Sequence, residues 1–345
     1  MHQSIYKRQI KMEKKILRWS TASMGLFTVL ICVCLYFLPS MKAEWMIAAE
    51  TDDAGALIEL EEAVEKDELN IELPENADGK DITITNNYLS QTLYVRFENG
   101  VDNYSDNYSV KGSSNHIANV SYYKEGTAGV LEIKLDKLCE ISYSYKDGYL
   151  CVDMIDPHEI YDKVIVIDAG HGGEMPGAVR KGIREKDINL DIVKQIKEIF
   201  DAADDESIKV YYTRLNDTNP SLKERVQLAN KANADMFISI HNNASYSSEN
   251  GTLILYSPDE MDESSKRLAQ LCLHSIVNSA GSRNQGIVNG DNIYIVRSSD
   301  VPVALVEVGY MSNHNELDKL INPEYQRKVA EGVYNAVMQA IEEGF

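Results

Sequence analysis

Cysteine is scarce, with five in 345 residues. Cys32 and Cys34 sit in a hydrophobic run, and neither follows a convincing lipobox. The other three, Cys139, Cys151 and Cys272, are an odd number for a disulfide framework. The stretch "ISYSYKDGYLCVDM" predicts a hairpin turning at Asp147-Gly148. In that register Cys139 and Cys151 are about five residues out of step, roughly 16 Å, too far to bridge. No structural disulfide is expected. Positive charge is also short, with 34 Lys and Arg against 54 Asp and Glu, a net charge of -20. That excludes nucleic acid as a partner, because such binding needs a basic surface to displace counterions from phosphates. Neither a P-loop nor a dinucleotide fingerprint is present: "GHGGEMPG" lacks the Lys-Ser/Thr pair and the third glycine spacing. No G-x-S-x-G elbow and no short-period repeat occurs. What remains is 44% apolar, enough for the core of one large domain or two ordinary ones.

The few basic residues are concentrated at the start. Residues 1–20 carry Lys7, Arg8, Lys11, Lys14, Lys15 and Arg18 against Glu13. The uncharged "ASMGLFTVLICVCLYFL" follows, and residues 21–38 are read as a transmembrane helix near the lower limit of spanning length. The basic flank places the N-terminus in the cytoplasm and the rest of the chain outside. A cleaved signal peptide, leaving a secreted protein, has the same charge order. An uncleaved anchor is favoured because the run is long and "MKAEW" is a poor cleavage site. Residues 39–80 are strongly acidic and read as a solvated linker.

From residue 81 to 158 short alternating runs such as "DITITNN", "TLYVRFEN" and "GVLEIKLDK" predict a small antiparallel β domain. This segment resembles the AMIN-type β-sandwich modules that precede some cell-wall hydrolases. Strands and helices then alternate over residues 162–345, in the order "KVIVIDAG", "DINLDIVKQIKEIF", "KVYYTR", "SLKERVQLANKA", "MFISIH". "TLILYS", "SSKRLAQLCLHSIVNS", "IYIV", "VALVEVG" and a terminal helix complete the series, with "IYIV" read as a strand. Asp187 is placed to cap the first helix and Pro220-Ser221 the second. The pattern specifies an α/β domain with a mostly parallel or mixed sheet flanked by helices.

Of seven histidines, two stand at the carboxyl ends of predicted central strands: His171 after "VIVIDAG" and His241 after "MFISI". Open α/β sheets bind ligands outside those ends. A third strand, "VPVALVEVGY", embeds Glu307 in an apolar run, where a lone glutamate is costly unless paired or neutralised. A catalytic zinc takes three protein ligands and keeps one position open. His171 and His241 supply two, and Glu185 or Glu174 could be the third. Gly172 and Gly173 would let the backbone turn away and leave room for ion and substrate.

Together "VIVIDAGHGGEMPGA", "EKDINL", "YYTRLNDTNPSLKERVQLAN", "FISIHNNA" and "VALVEVGYMSN" resemble the zinc-dependent N-acetylmuramoyl-L-alanine amidases, the Amidase_3 type of cell-wall hydrolase. The resemblance covers roughly the last 180 residues, in order. It implies one zinc ion per chain, held by His171, Glu185 and His241, with Glu307 as catalytic acid/base. It also implies that Asn243 and Arg297 face the substrate, and that Asn242, where the family has a small residue, matters little. Asp168 is the residue that could orient an imidazole from behind, or else only shape the turn at the strand end. The implied substrate is peptidoglycan, cut between N-acetylmuramic acid and L-alanine. Another zinc peptidase or deacylase of the wall, or a non-catalytic wall-binding or regulatory protein, is the alternative. No protein regulator is identifiable from the sequence.

Overall fold

A computed structural model describes residues 56–345, apart from 58–60, 63–67, 76, 78, 113–115 and 259–262. The stretches read as a basic tail and a transmembrane helix, with the first part of the acidic linker, lie outside those residues. Among the described residues no helix is long and apolar enough to cross a membrane.

The first half is a β-sandwich. Its strands are β1 (Ala56–Leu57), β2 (Glu61–Glu62), β3 (Glu68–Glu72), β4 (Ile82–Asn87), β5 (Thr92–Phe97), β6 (Val110–Gly112), β7 (Ile117–Glu125), β8 (Ala128–Leu135), β9 (Glu140–Lys146) and β10 (Tyr149–Ile155), with a short helix α1 (Tyr104–Asn107). They form two five-stranded sheets, β1-β7-β8-β5-β4 and β2-β6-β3-β10-β9, around one shared core that includes Leu69, Ile71, Val95, Leu131 and Leu150. The β9–β10 hairpin turns at Asp147 (φ 51°) and Gly148 (φ 87°), the pair of positive angles a two-residue turn needs. Cys139, Cys151 and Cys272 are in no disulfide. One boundary needs correcting: β3 lies inside the stretch read as linker. Its "ELNIE" buries only Leu69 and Ile71, so the acidic neighbours mask a real period of two.

The second half opens with a turn of helix, α2 (Pro157–Ile160), and continues with β11 (Lys163–Ala169), β12 (Val179–Arg180), β13 (Ile183–Arg184), α3 (Glu185–Ala203), β14 (Ile208–Tyr212), α4 (Leu222–Lys231) and β15 (Met236–Asn243). After these come β16 (Thr252–Tyr256), α5 (Ser264–Ala280), β17 (Asn284–Asn289), α6 (Tyr294–Arg297), β18 (Val303–Tyr310), α7 (His314–Leu320) and α8 (Pro323–Glu342). The six-stranded sheet runs β14-β11-β15-β18-β16-β17 and is mixed, because β16 lies antiparallel to β18. Helices cover both faces, which is why the central strands are largely apolar. On β11, Ile165 and Ile167 enter the core under α3, α5 and α8, while Val164 and Val166 enter the opposite core under α4. Each such side chain, fully buried, contributes about 1.5–3 kcal/mol relative to exposure.

Ser221 caps α4 in a full capping box with Glu224. Asp187 does not cap α3: the helix starts at Glu185, and Asp187 sits in the first turn, bonded to Arg184. "IYIV" is the short helix α6 rather than a strand, and the edge strand comes from "NQGIVN" instead. Four apolar residues are too few to separate the two periods.

The halves share a buried contact. Leu138 joins the core under α4. The Glu140 carboxylate accepts hydrogen bonds from Tyr88 Oη (2.8 Å) and Tyr211 Oη (2.6 Å) and pairs with Lys209 Nζ (2.7 Å).

Candidate metal centre and active site

β11, β15 and β18 are adjacent and parallel, so their carboxyl ends open on one edge of the sheet. His171 lies two residues beyond β11, His241 is near the end of β15, and Glu307 pairs with His241 across the β15–β18 ladder. The fourth residue arrives from a helix. Because α3 begins at Glu185, its carboxylate stands at a helix N-terminus, where the dipole favours negative charge.

These elements bring His171, Glu185 and His241 together, with their donor atoms all within 4.8 Å of one another. Glu185 Oε1 lies 3.1 Å from His171 Nε2 and 3.0 Å from His241 Nδ1. The backbone N–H of Asn242 donates to Oε1 (3.1 Å) and that of Ala178 to Oε2 (2.8 Å), which fixes the carboxylate plane. Burial pushes the Glu185 carboxyl up, but its hydrogen bonds to the two imidazoles outweigh burial and hold it well below the usual carboxylate range. His241 is held above its ordinary value: burial alone would lower it, and Glu185 and Glu307 together reverse that. Glu174 is exposed on the loop after His171 and takes no part. Two imidazoles and one ionised carboxylate on a half-open surface are donors of the kind a catalytic zinc takes, so the residues present fit that ion.

The loop geometry follows from the same demand. Gly172 (φ 136°) exchanges backbone hydrogen bonds with Met175, so the chain folds back at once after His171. Gly177 (φ 66°) packs against the site itself, since a Cβ there would lie 2.4 Å from Glu185 Oε2. A cavity of about 330 Å³ opens beside the two histidines, walled by Met175, Leu222 and Ile295 among others.

Glu307 differs from the donor trio. Its Oε2 is buried and has no hydrogen-bond partner. Burial pushes its carboxyl up to about 7, with Glu185 adding to the rise and His241 opposing it. Such a group gains and loses a proton near neutral pH, the property a general acid/base needs.

One expectation changes. Asp168 does not orient an imidazole. Its carboxylate is fully buried and bonds Arg225 Nη1 (2.6 Å), Thr213 Oγ1 (2.5 Å) and Ser239 Oγ (2.5 Å). Arg297 is exposed at the end of α6, its guanidinium over the Tyr294 ring, and does not line the cavity that Ile295 of the same helix walls. Asn242 is buried: its Nδ2 donates to Asn189 Oδ1 (2.7 Å), its Oδ1 has no partner, and its backbone N–H holds Glu185. Asn243 is half-buried, and its carbonyl accepts from Met311 N–H. Sequence reading passed over Arg214, Arg225 and Asn189, all buried beside the site.

Comparison with known proteins agrees with this geometry. The family model Amidase_3, N-acetylmuramoyl-L-alanine amidase, matches residues 165–339. The chain belongs to this family. The uncharacterized protein YqiI of Bacillus subtilis (strain 168) is 36% identical over 187 residues, 54% of this chain and 88% of that protein. The N-acetylmuramoyl-L-alanine amidase LytC of the same organism is 34% identical over 180 residues, 52% of this chain but 36% of LytC. The crystal structure of an N-acetylmuramoyl-L-alanine amidase from Clostridium difficile 630 superposes with a TM-score of 0.50 at 34% identity, covering 53% of this chain and 98% of that one. The family match begins in β11 and leaves the β-sandwich outside the amidase region.

Proposed function

We propose that this Amidase_3 protein hydrolyses the amide bond between N-acetylmuramic acid and the L-alanine of the peptidoglycan stem peptide. His171, Glu185 and His241 hold one zinc ion, and Glu307 is the acid/base. The observation that carries the reading is the pairing of a ligand trio with a separate, partnerless carboxyl one strand away. A degenerate scaffold has no use for a half-buried Glu307 whose carboxyl, stripped of solvent and of partners at Oε2, is pushed up to about 7.

Zinc bound there supplies Lewis acidity, which polarises an amide carbonyl and makes water acidic enough to ionise near neutral pH. The protein supplies the rest. Glu185 and the two imidazoles fix the position at which the carbonyl is met. Glu307 accepts the proton released by the attacking water and returns it to the departing alanine nitrogen, so the amine leaves neutral. Met175, Leu222 and Ile295 give the cavity apolar walls that shed water from the reacting amide.

Residues 21–38 we place across the membrane, with the N-terminus in the cytoplasm and the amidase region outside, facing the wall. The charge order of residues 1–38 supports this. Secretion after signal cleavage is the competing outcome, and N-terminal sequencing of the protein from membranes and medium separates the two.

The activity is tested with the full-length chain and its Glu307→Ala variant. Bound zinc is quantified, and each protein is incubated with purified peptidoglycan. New L-alanine amino termini and new reducing sugar ends are then counted. Alanine termini without reducing ends, from the wild type alone, support the amidase. New amino termini other than L-alanine point to a peptidase, and zinc without any product points to a binder.

A further inference from the structure

We propose that Arg214 and Arg225 are positioning residues that hold the exit of β11 in its ligand-presenting shape, so that His171 and Glu185 are set before the metal ion arrives. The proposal rests on the zinc reading given above.

Both guanidinium groups are buried. Arg225, on α4, donates through Nη1 to the carbonyl of Ala169 (2.7 Å) and through Nη2 to that of His171 (2.7 Å). Arg214, just past β14, donates through Nε to Ala169 (2.8 Å) and through Nη2 to Gly170 (2.9 Å). Three consecutive carbonyls, Ala169, Gly170 and His171, therefore end on two cations. A regular strand sends successive carbonyls to opposite sides, so the chain here has left strand geometry. His171 completes the departure with φ 60°, a backbone angle that residues with side chains rarely adopt. Its neighbour Gly170 is tied to β15 through its N–H to the Ile240 carbonyl (3.0 Å), and the Gly170 carbonyl also accepts from Asn189 Nδ2 (3.1 Å), but the His171 carbonyl itself ends on Arg225.

Arginine suits the task by its shape. Its planar fork offers five N–H donors in fixed directions, enough to serve several carbonyls from one point, which a lysine ammonium cannot match. The second Nη2 contact of Arg214 goes to the carbonyl of Lys186 (2.9 Å), the residue after Glu185. One guanidinium thus joins the segment carrying His171 to the first turn of the helix carrying Glu185. Asp168, with Thr213 and Ser239 bonded to the same carboxylate, anchors Arg225 from the core side. The carboxylate acts on the ligands through this arginine and the backbone, not through an imidazole.

The test uses full-length protein stripped of metal. Zinc dissociation constants are measured by competition with a chromophoric chelator for the wild type and for Arg225→Lys, Arg214→Lys and Ser239→Ala. Thermal midpoints of the metal-free forms are recorded alongside. Groups that orient metal ligands typically change affinity about 10- to 100-fold. Either arginine variant that folds should bind zinc at least about tenfold more weakly than the wild type. Ser239→Ala weakens the Asp168 cluster one step behind the carbonyl contacts, so it should lower zinc affinity less than either arginine variant does. Arginine variants that bind zinc as the wild type does would overturn the proposal. So would affinity losses that track the fall in thermal midpoint equally across all three variants. If neither arginine variant folds, hydrogen exchange of the wild type decides. Segment 169–173 should already be protected without metal, and protection that appears only on adding zinc overturns the clamp. A wild type that binds no zinc refutes the parent reading instead, and the hydrogen-exchange result on the metal-free protein still judges the clamp.

Discussion

Glu307 and His241 face one another across the parallel β15–β18 ladder, and only one of them belongs to the trio of metal donors. In the proposed mechanism adjacent strands thereby separate two jobs: one end binds, the other moves a proton.

Removing the Glu307 carboxylate should therefore leave the ligand trio intact. Glu307→Ala is expected to retain one zinc per chain and to lose turnover by about 10²- to 10⁴-fold, the usual contribution of a positioned acid/base. Metal analysis beside the peptidoglycan assay checks it. A parallel fall in zinc content would make Glu307 a ligand and end the division of roles.

His241→Ala should behave oppositely. It takes one donor away and leaves Glu185, buried and ionised, with one imidazole fewer. Both zinc and activity are expected to go, and adding stoichiometric zinc should not restore them. In the wild type, a strong chelator should abolish turnover and added zinc should return it. Activity that survives complete chelation would rule out metal-assisted hydrolysis.

Much of this site was legible because strands write their ends plainly. The run Val164 to Ala169 is buried on both faces, so a histidine just beyond it stands out, as does a glutamate inside the equally apolar β18. Asp168 misled because three residues separate it from His171 in sequence. Alternation along β11 puts it on the face of Val164 and Val166, toward α4 and Arg225. Arg225 carried the same signal as Glu307, a charge on the apolar face with Leu228 and Ala229, but helical spacing hides it. Glu185 needed the helix start, and that boundary moved by two residues because Asp187 looks like a cap. Strand β3 was invisible for a different reason, since a short strand within acidic sequence has no contrast.

Gly177 and Gly126 give a matched pair. Both have φ near 65°, so alanine strains the backbone similarly, by about 1 kcal/mol. At Gly126 a Cβ meets nothing within 4 Å, whereas at Gly177 it would meet Glu185 Oε2 at 2.4 Å and His171 Cδ2 at 2.6 Å. Gly126→Ala should lower the thermal midpoint slightly and keep zinc affinity. Gly177→Ala should in addition weaken zinc binding by at least about tenfold. Equal zinc affinity in the two variants would mean that the Gly177 loop yields and does not cradle the carboxylate.

The contact between the two halves should be sensitive to acid. Burial raises the Glu140 carboxyl, but hydrogen bonds with Lys209, Tyr211 and Tyr88 outweigh it, and its pKa in the folded protein lies below the ordinary 4.5. A group depressed on folding stabilises the fold fully above its unfolded pKa, and that contribution fades as pH falls through the folded value. Thermal midpoints followed from pH 7 downward should therefore hold until about pH 4.5 and then drop, with Glu140 as one contributor. Glu140→Gln keeps the shape and removes the charge that pairs with Lys209. It should lower the midpoint at pH 7 and narrow its gap from the wild type as pH falls below 4.5 and through the lowered pKa of the wild-type carboxyl. The gap closes only if Glu140 is ionised in the folded contact. A constant gap at every pH would show that the contact does not depend on the charge of Glu140.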